Sequence, residues 1–130
     1  MTYFGKKYMS IQWGRVLLAA FLMEVVLIAI ALPLFFGGMG RVLVYVIPPA
    51  AFLATYVVTV WLGRGIHSQF VLHGVLIGIV GTLMYVALTR AHAEPWQYWM
   101  AHVLKVVGGA SGGIVLARRQ TAANQPALGA

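Results

Sequence analysis

Two charged residues stand deep inside long apolar runs of this 130-residue chain: Glu24, in LLAAFLMEVV, and Lys105, in AHVLKVVGGASGG. In such surroundings a carboxylate and an ammonium group can neutralise one another, hold an ion of opposite sign, or pass a proton. A charge at the centre of a bilayer costs at least ~2.5–3.5 kcal/mol on insertion scales, so each needs a partner or must become neutral. Both are therefore candidate intramembrane polar residues.

Their depths follow from the rise of a helix. Glu24 lies nine residues past Arg15, or ~13 Å, and Lys105 thirteen residues before Arg118, or ~20 Å. Helical side chains tilt toward their own N-terminus, which on this count makes the two heads diverge. Two arrangements stay open. Lys105 pairs with Glu24, or it turns to the Val44 and Tyr45 carbonyls, whose helical donors are removed by Pro48 and Pro49. The second arrangement makes a polar cluster of Tyr45, His102 and Lys105 beneath a kink at Pro48-Pro49. Glu24 then either pairs with Lys105 or stands protonated and hydrogen-bonded near Thr55 and Ser111.

The glycines carry packing rather than chemistry. Gly74, Gly78 and Gly81 fall on one helical face; on the next span Gly109 and Gly112 continue a stripe through His102 and Lys105, and Gly108 with Gly112 makes a G-x-x-x-G. Small residues let helix backbones approach closely in lipid, and these are expected to make room for the third span. GGASGG lacks the Gly-Lys-Ser/Thr of a phosphate loop. His73 and His102 sit toward opposite membrane faces, so no shared haem or metal is expected, and no cofactor is implied. His67 and His92 fall in linkers. No paired carboxylates, His-Glu-x-x-His motif or nucleophile–base pair is present.

The elements that must position these residues are apolar spans. The chain is 62% hydrophobic and 8% charged, against about 25% charged in soluble domains. It has no cysteine, which excludes disulfides and thiolate chemistry. The net charge of +7 sits singly or in pairs between apolar runs, a membrane-flank pattern rather than a nucleic-acid face. Spans of about 20 apolar residues fall at about 13–36, 42–62, 70–89 and 96–117. Backbone satisfaction in lipid makes them helices. The fold expected is an all-α four-transmembrane-helix bundle (13–117), its second helix kinked, behind a short segment 1–12 and ahead of a disordered tail 118–130. Short linkers make consecutive spans antiparallel neighbours. The first run is too long for a signal peptide's apolar region and is read as a retained span.

With both ends in the cytoplasm, the inside holds Lys6, Lys7, Arg15, Arg64, Arg118 and Arg119, and the outside holds Arg41 and Arg90. Trp13, Trp61, Trp96 and Trp99 mark span ends. The expected location is the bacterial inner (plasma) membrane, crossed several times.

LLAAFLMEVV at 17–26 resembles the first span of the small multidrug-resistance transporters, four-span proteins with a membrane glutamate. The resemblance implies that Glu24 exchanges protons for cationic drugs, but Lys105 would repel such a cargo. The overall layout, with WGRVLLAAF opening the first span and a glycine-rich last span ending in ARR, resembles a loose group of uncharacterised small four-span bacterial membrane proteins. That resemblance implies no activity. The expectation is a non-enzymatic accessory or oligomerising component whose partners are the bilayer, further copies of itself or a larger membrane complex, with no nucleic acid. The alternative is a small proton- or ion-coupled transporter or channel using Glu24 and Lys105.

Overall fold

A computed structural model describes residues 11–66, 68–89 and 96–124. Four helices account for most of them: α1 (Trp13–Phe36), α2 (Gly40–Leu62), α3 (Phe70–Thr89) and α4 (Trp96–Asn124), with a 3-10 turn at Gly63–Gly65 closing α2. Each is long and apolar enough to cross a membrane. No strand occurs among the described residues. The architecture is an all-α four-helix bundle, as the uninterrupted apolar runs predict.

The corner between α1 and α2 is made by backbone chemistry. Pro33 cannot donate to the preceding turn and weakens the end of α1. The Gly37 N–H then returns to the Pro33 carbonyl at 2.9 Å, and the Met39 N–H to that of Leu34 at 2.9 Å. Gly38 takes φ +75°, a conformation that a residue with a Cβ rarely adopts, and the chain reverses there. Further on, α2 runs as one helix through Pro48, which is buried, and Pro49, which is exposed.

The helices form a square in which α1 and α4 lie on one diagonal, α2 and α3 on the other. Consecutive helices are neighbours at α1–α2 and α3–α4 but not at α2–α3, which scarcely touch. This corrects the expectation drawn from short linkers. The physical reason lies in α4, whose glycines fall in two interleaved stripes. A side chain at Gly108 or Gly112 would strike Phe52, or Thr59 and the Tyr56 carbonyl, on α2. One at Gly109 or Gly113 would strike Gly74, or Phe70 and Val71, on α3. Both neighbours therefore press against α4, one on either side of it. Gly108 and Gly112 make room for the second span, not the third.

The registers follow. Gly74 meets Gly109 and Gly113 meets Phe70, so α3 and α4 are antiparallel; Phe52 meets Gly108 and Thr59 meets Gly112, so α2 and α4 are parallel. Arg15 donates to the Leu62 carbonyl at 3.0 Å, which puts the start of α1 beside the end of α2. Arg15, Arg64, Arg118 and Arg119 consequently share one end of the bundle.

Between the helices lies a core of Val16, Ala19, Met23 and Leu27 from α1, with Ile47, Ala51 and Val58 from α2 and Ile77 from α3. The outside is equally apolar. Phe21 is 58% exposed and Leu83 61%, the inverse of a water-soluble surface and the arrangement lipid tails require. The exposed Trp13 and Trp61 lie at the arginine end; the exposed Trp96 and Trp99 lie at the other. Helix α4 continues past Ala117 to Asn124, so the expectation of a disordered tail is corrected for 118–124. Arg, Gln and Ala there are good helix formers, and the Thr121 hydroxyl donates to the Ala117 carbonyl at 3.0 Å. Residues 1–10 and 125–130 of the two end segments lie outside the described residues.

Candidate functional site: an ion pair beneath a cavity

Lys105 Nζ donates to Glu24 Oε1 at 2.6 Å, and both residues are buried. Of the two arrangements the sequence left open, the direct pair is the one observed. Helix α3 explains how the heads meet. A side chain at Gly78 would lie 2.7 Å from Val106 Cα and 2.8 Å from the Lys105 carbonyl oxygen; one at Gly81 would strike Met23 and lie 3.2 Å from Glu24 Oε1. Gly81 is three residues beyond Gly78, or ~4.5 Å further from the arginine end. Glu24 thus stands above Lys105, not below it. The N-terminal tilt of both side chains then brings the heads together.

Tyr85 completes the ammonium's surroundings, its ring centroid 5.1 Å from Lys105 Nζ in a cation–π contact. The His102 ring lies 5.1 Å from that of Tyr85 and 5.9 Å from that of Trp99. His102 Nδ1 is buried with no hydrogen-bond partner among the described residues. On the side away from the arginine end, a cavity of about 110 Å³ opens over the pair, bounded by Leu27, Ile47, Tyr85, Tyr98 and His102. That is room for a few water molecules beside a polar floor. On the opposite side the core closes. Met23, Thr55 and Ile77 are fully buried, and the Thr55 hydroxyl lies 2.7 Å from the Ala51 carbonyl and 2.6 Å from Met23 Sδ.

The remaining candidates are dispersed. Tyr45 is 72% exposed and borders an outer groove with Pro48 and Trp96, so the expected cluster of Tyr45, His102 and Lys105 does not form. The register explains this: Lys105 turns toward α1, and Tyr45 sits on the outer face of α2. Thr55 spends its proton on its own helix. Ser111 is half-buried and six residues from Lys105, or ~9 Å along α4, too far to reach Glu24.

A second polar knot lies at the arginine end. The Gln12 backbone N–H donates to His73 Nε2 at 3.1 Å, and His73 Nδ1 lies 2.8 Å from the Gln69 carbonyl oxygen. A backbone N–H can only donate and a carbonyl only accept, so the ring proton belongs on Nδ1. His73 is fully buried. It pins the entry of α1 to the start of α3, and the Gln12 amide adds a bond to the Gly65 carbonyl at 3.1 Å.

The sequence does not single out Tyr85, nor the bridging role of His73. Tyr85 had a signal, since it follows Gly78 and Gly81 by seven and four residues and so continues their face. No group of three or more His, Asp or Glu residues that could hold a metal occurs among the described residues. Comparison with protein-family models, curated proteins and solved structures finds no match, so the chemistry rests on the residues of this chain.

Proposed function

We propose that this chain is a multi-pass protein of the bacterial inner membrane, both ends cytoplasmic, serving as a non-enzymatic accessory or oligomerising component of a membrane assembly. The carrying observation is that its two deep charges neutralise each other above a core sealed by Met23, Thr55 and Ile77. A polar path from one end to the other is interrupted there. What remains for function is the apolar outer surface, open to lipid and to other helices. The test is isolation from native membranes in mild detergent. A stable co-purifying partner or oligomer is expected, and a monomer with no companion would count against the reading.

A second reading is favoured by one specific feature, the cavity that opens onto the pair from one side. A small proton- or ion-coupled transporter would need such one-sided access to Glu24 and Lys105. Proton flux into liposomes distinguishes the two: flux in the wild type that is lost in Glu24→Gln supports transport.

A further inference from the structure

The chain has two acidic side chains. Glu24 is committed to Lys105, and Glu94 falls in sequence between α3 and α4. Among the described residues, the arginine end has no carboxylate side chain to balance Arg15, Arg64, Arg118 and Arg119. Arg15 is turned to the Leu62 carbonyl. The others face outward.

At this end a cleft of about 360 Å³ lies between the Gly63–Gly65 turn, the start of α3 and the inner part of α4. Its floor is apolar and buried: Gly63, Ile66 and Leu116. Its rim carries the exposed guanidinium groups of Arg64 and Arg119, with the Gln120 amide beside them. Arg118, ~100° further round α4, borders a separate cleft with Val71 and Thr121. Among the described arginines, Arg64 and Arg119 line the same cleft.

We infer that this cleft binds the headgroup of an acidic phospholipid. The two planar guanidinium forks match the oxygens of a phosphate diester in geometry and charge. The floor of Ile66 and Leu116, with Phe70 at its edge, takes the glycerol ester and first methylenes, which a free anion lacks. The Gln120 amide reaches headgroup hydroxyls. The site stands at the end of four apolar helices, where a lipid phosphate lies and basic pockets between helices collect acidic headgroups. The inference rests on the membrane reading alone and is independent of the choice between accessory and transporter.

The experiment uses the full chain purified in a neutral detergent, with native mass spectrometry and thermal unfolding as readouts. Phosphatidylglycerol should be retained and should raise the unfolding temperature, while phosphatidylcholine and inorganic phosphate should do neither. Arg64→Gln with Arg119→Gln should weaken phosphatidylglycerol binding about 30-fold, two lost charge contacts at the membrane surface. Arg41→Gln, on an exposed residue at the far end, should leave binding unchanged. Arg64→Lys with Arg119→Lys should retain part of the affinity and guards against a folding defect in the glutamine pair. Equal binding of phosphatidylcholine, full affinity in the glutamine pair, or equal stabilisation by inorganic phosphate would each overturn the site. A chain that stays dispersed without detergent would overturn the membrane reading itself, a result separable from a detergent-soluble chain that ignores acidic lipid.

Discussion

Lys105 and Glu24 meet at 2.6 Å across the diagonal of the bundle, joining two helices that otherwise scarcely touch. The pair thus ties α1 to α4 through the space that the glycines of α3 leave open. A buried pair of this kind is stabilising only relative to its own broken forms, because each ion has lost its water.

That argument makes an asymmetric prediction. Glu24→Gln removes one charge and leaves the ammonium buried, at a cost of about 3–5 kcal/mol. Glu24→Gln combined with Lys105→Met removes both charges and should recover most of that loss. Reversible unfolding in mixed detergent micelles reads the difference. Equal losses in the single and double variants would mean that the charges do not see each other.

The glycines should rank by what their missing side chains would strike. At Gly74 and Gly109 the obstacle is the backbone of the facing helix, which cannot step aside, so alanine at either must force α3 and α4 apart. A loss of at least ~1–3 kcal/mol is expected, the range for overpacking. Gly81→Ala meets the flexible end of Met23 and should cost less, although it crowds Glu24 Oε1. Gly14→Ala has nothing within 4 Å and should stabilise α1 by about 0.5–1 kcal/mol. Unfolding measurements on the four variants test the order directly.

His73 allows a spectroscopic check. Its two hydrogen bonds require the proton on Nδ1, so the nitrogen chemical shifts of its ring should report that tautomer. His73→Leu fills a similar space but leaves the Gln12 N–H and Gln69 carbonyl without the ring. It should loosen the start of α1, seen as faster amide exchange at Gln12, and cost about 1–3 kcal/mol.

How far the sequence reveals all this depends on which physical quantity is asked for. The limits of α1 and α3 are legible to the residue, because long, mostly apolar runs and the glycine and polar breaks beside them leave little freedom. The far limit of α4 is not, because Arg118 and Arg119 signal the membrane edge while the helix itself continues to Asn124. Glu24 and Lys105 stand out by rarity alone. Their contact does not, since counting from Arg15 and Arg118 treats flexible arginines as fixed depth marks. The facing glycines Gly78 and Gly81 are the better ruler, but which helix they face is known only in three dimensions. Rotational phase is the missing quantity throughout: without it the sequence cannot show that Gly108 and Gly112 face the second helix or that Tyr45 lies on the outer surface.

The cavity over the ion pair separates the two functional readings without touching a charge. Ala101 lines it and is almost fully buried, so Ala101→Leu places three further carbon atoms in that space. In a purely structural bundle, filling a void between Leu27, Ile47 and Tyr98 adds dispersion contacts and should stabilise by about 0.5–2 kcal/mol, with partner binding intact. In a transporter the same substitution displaces the water that connects Glu24 to one membrane face, and flux should stop while the fold gains stability. Liposome flux and unfolding measured on the same preparation distinguish these outcomes. Destabilisation by more than ~1 kcal/mol would mean instead that the space is already occupied when the protein sits in lipid.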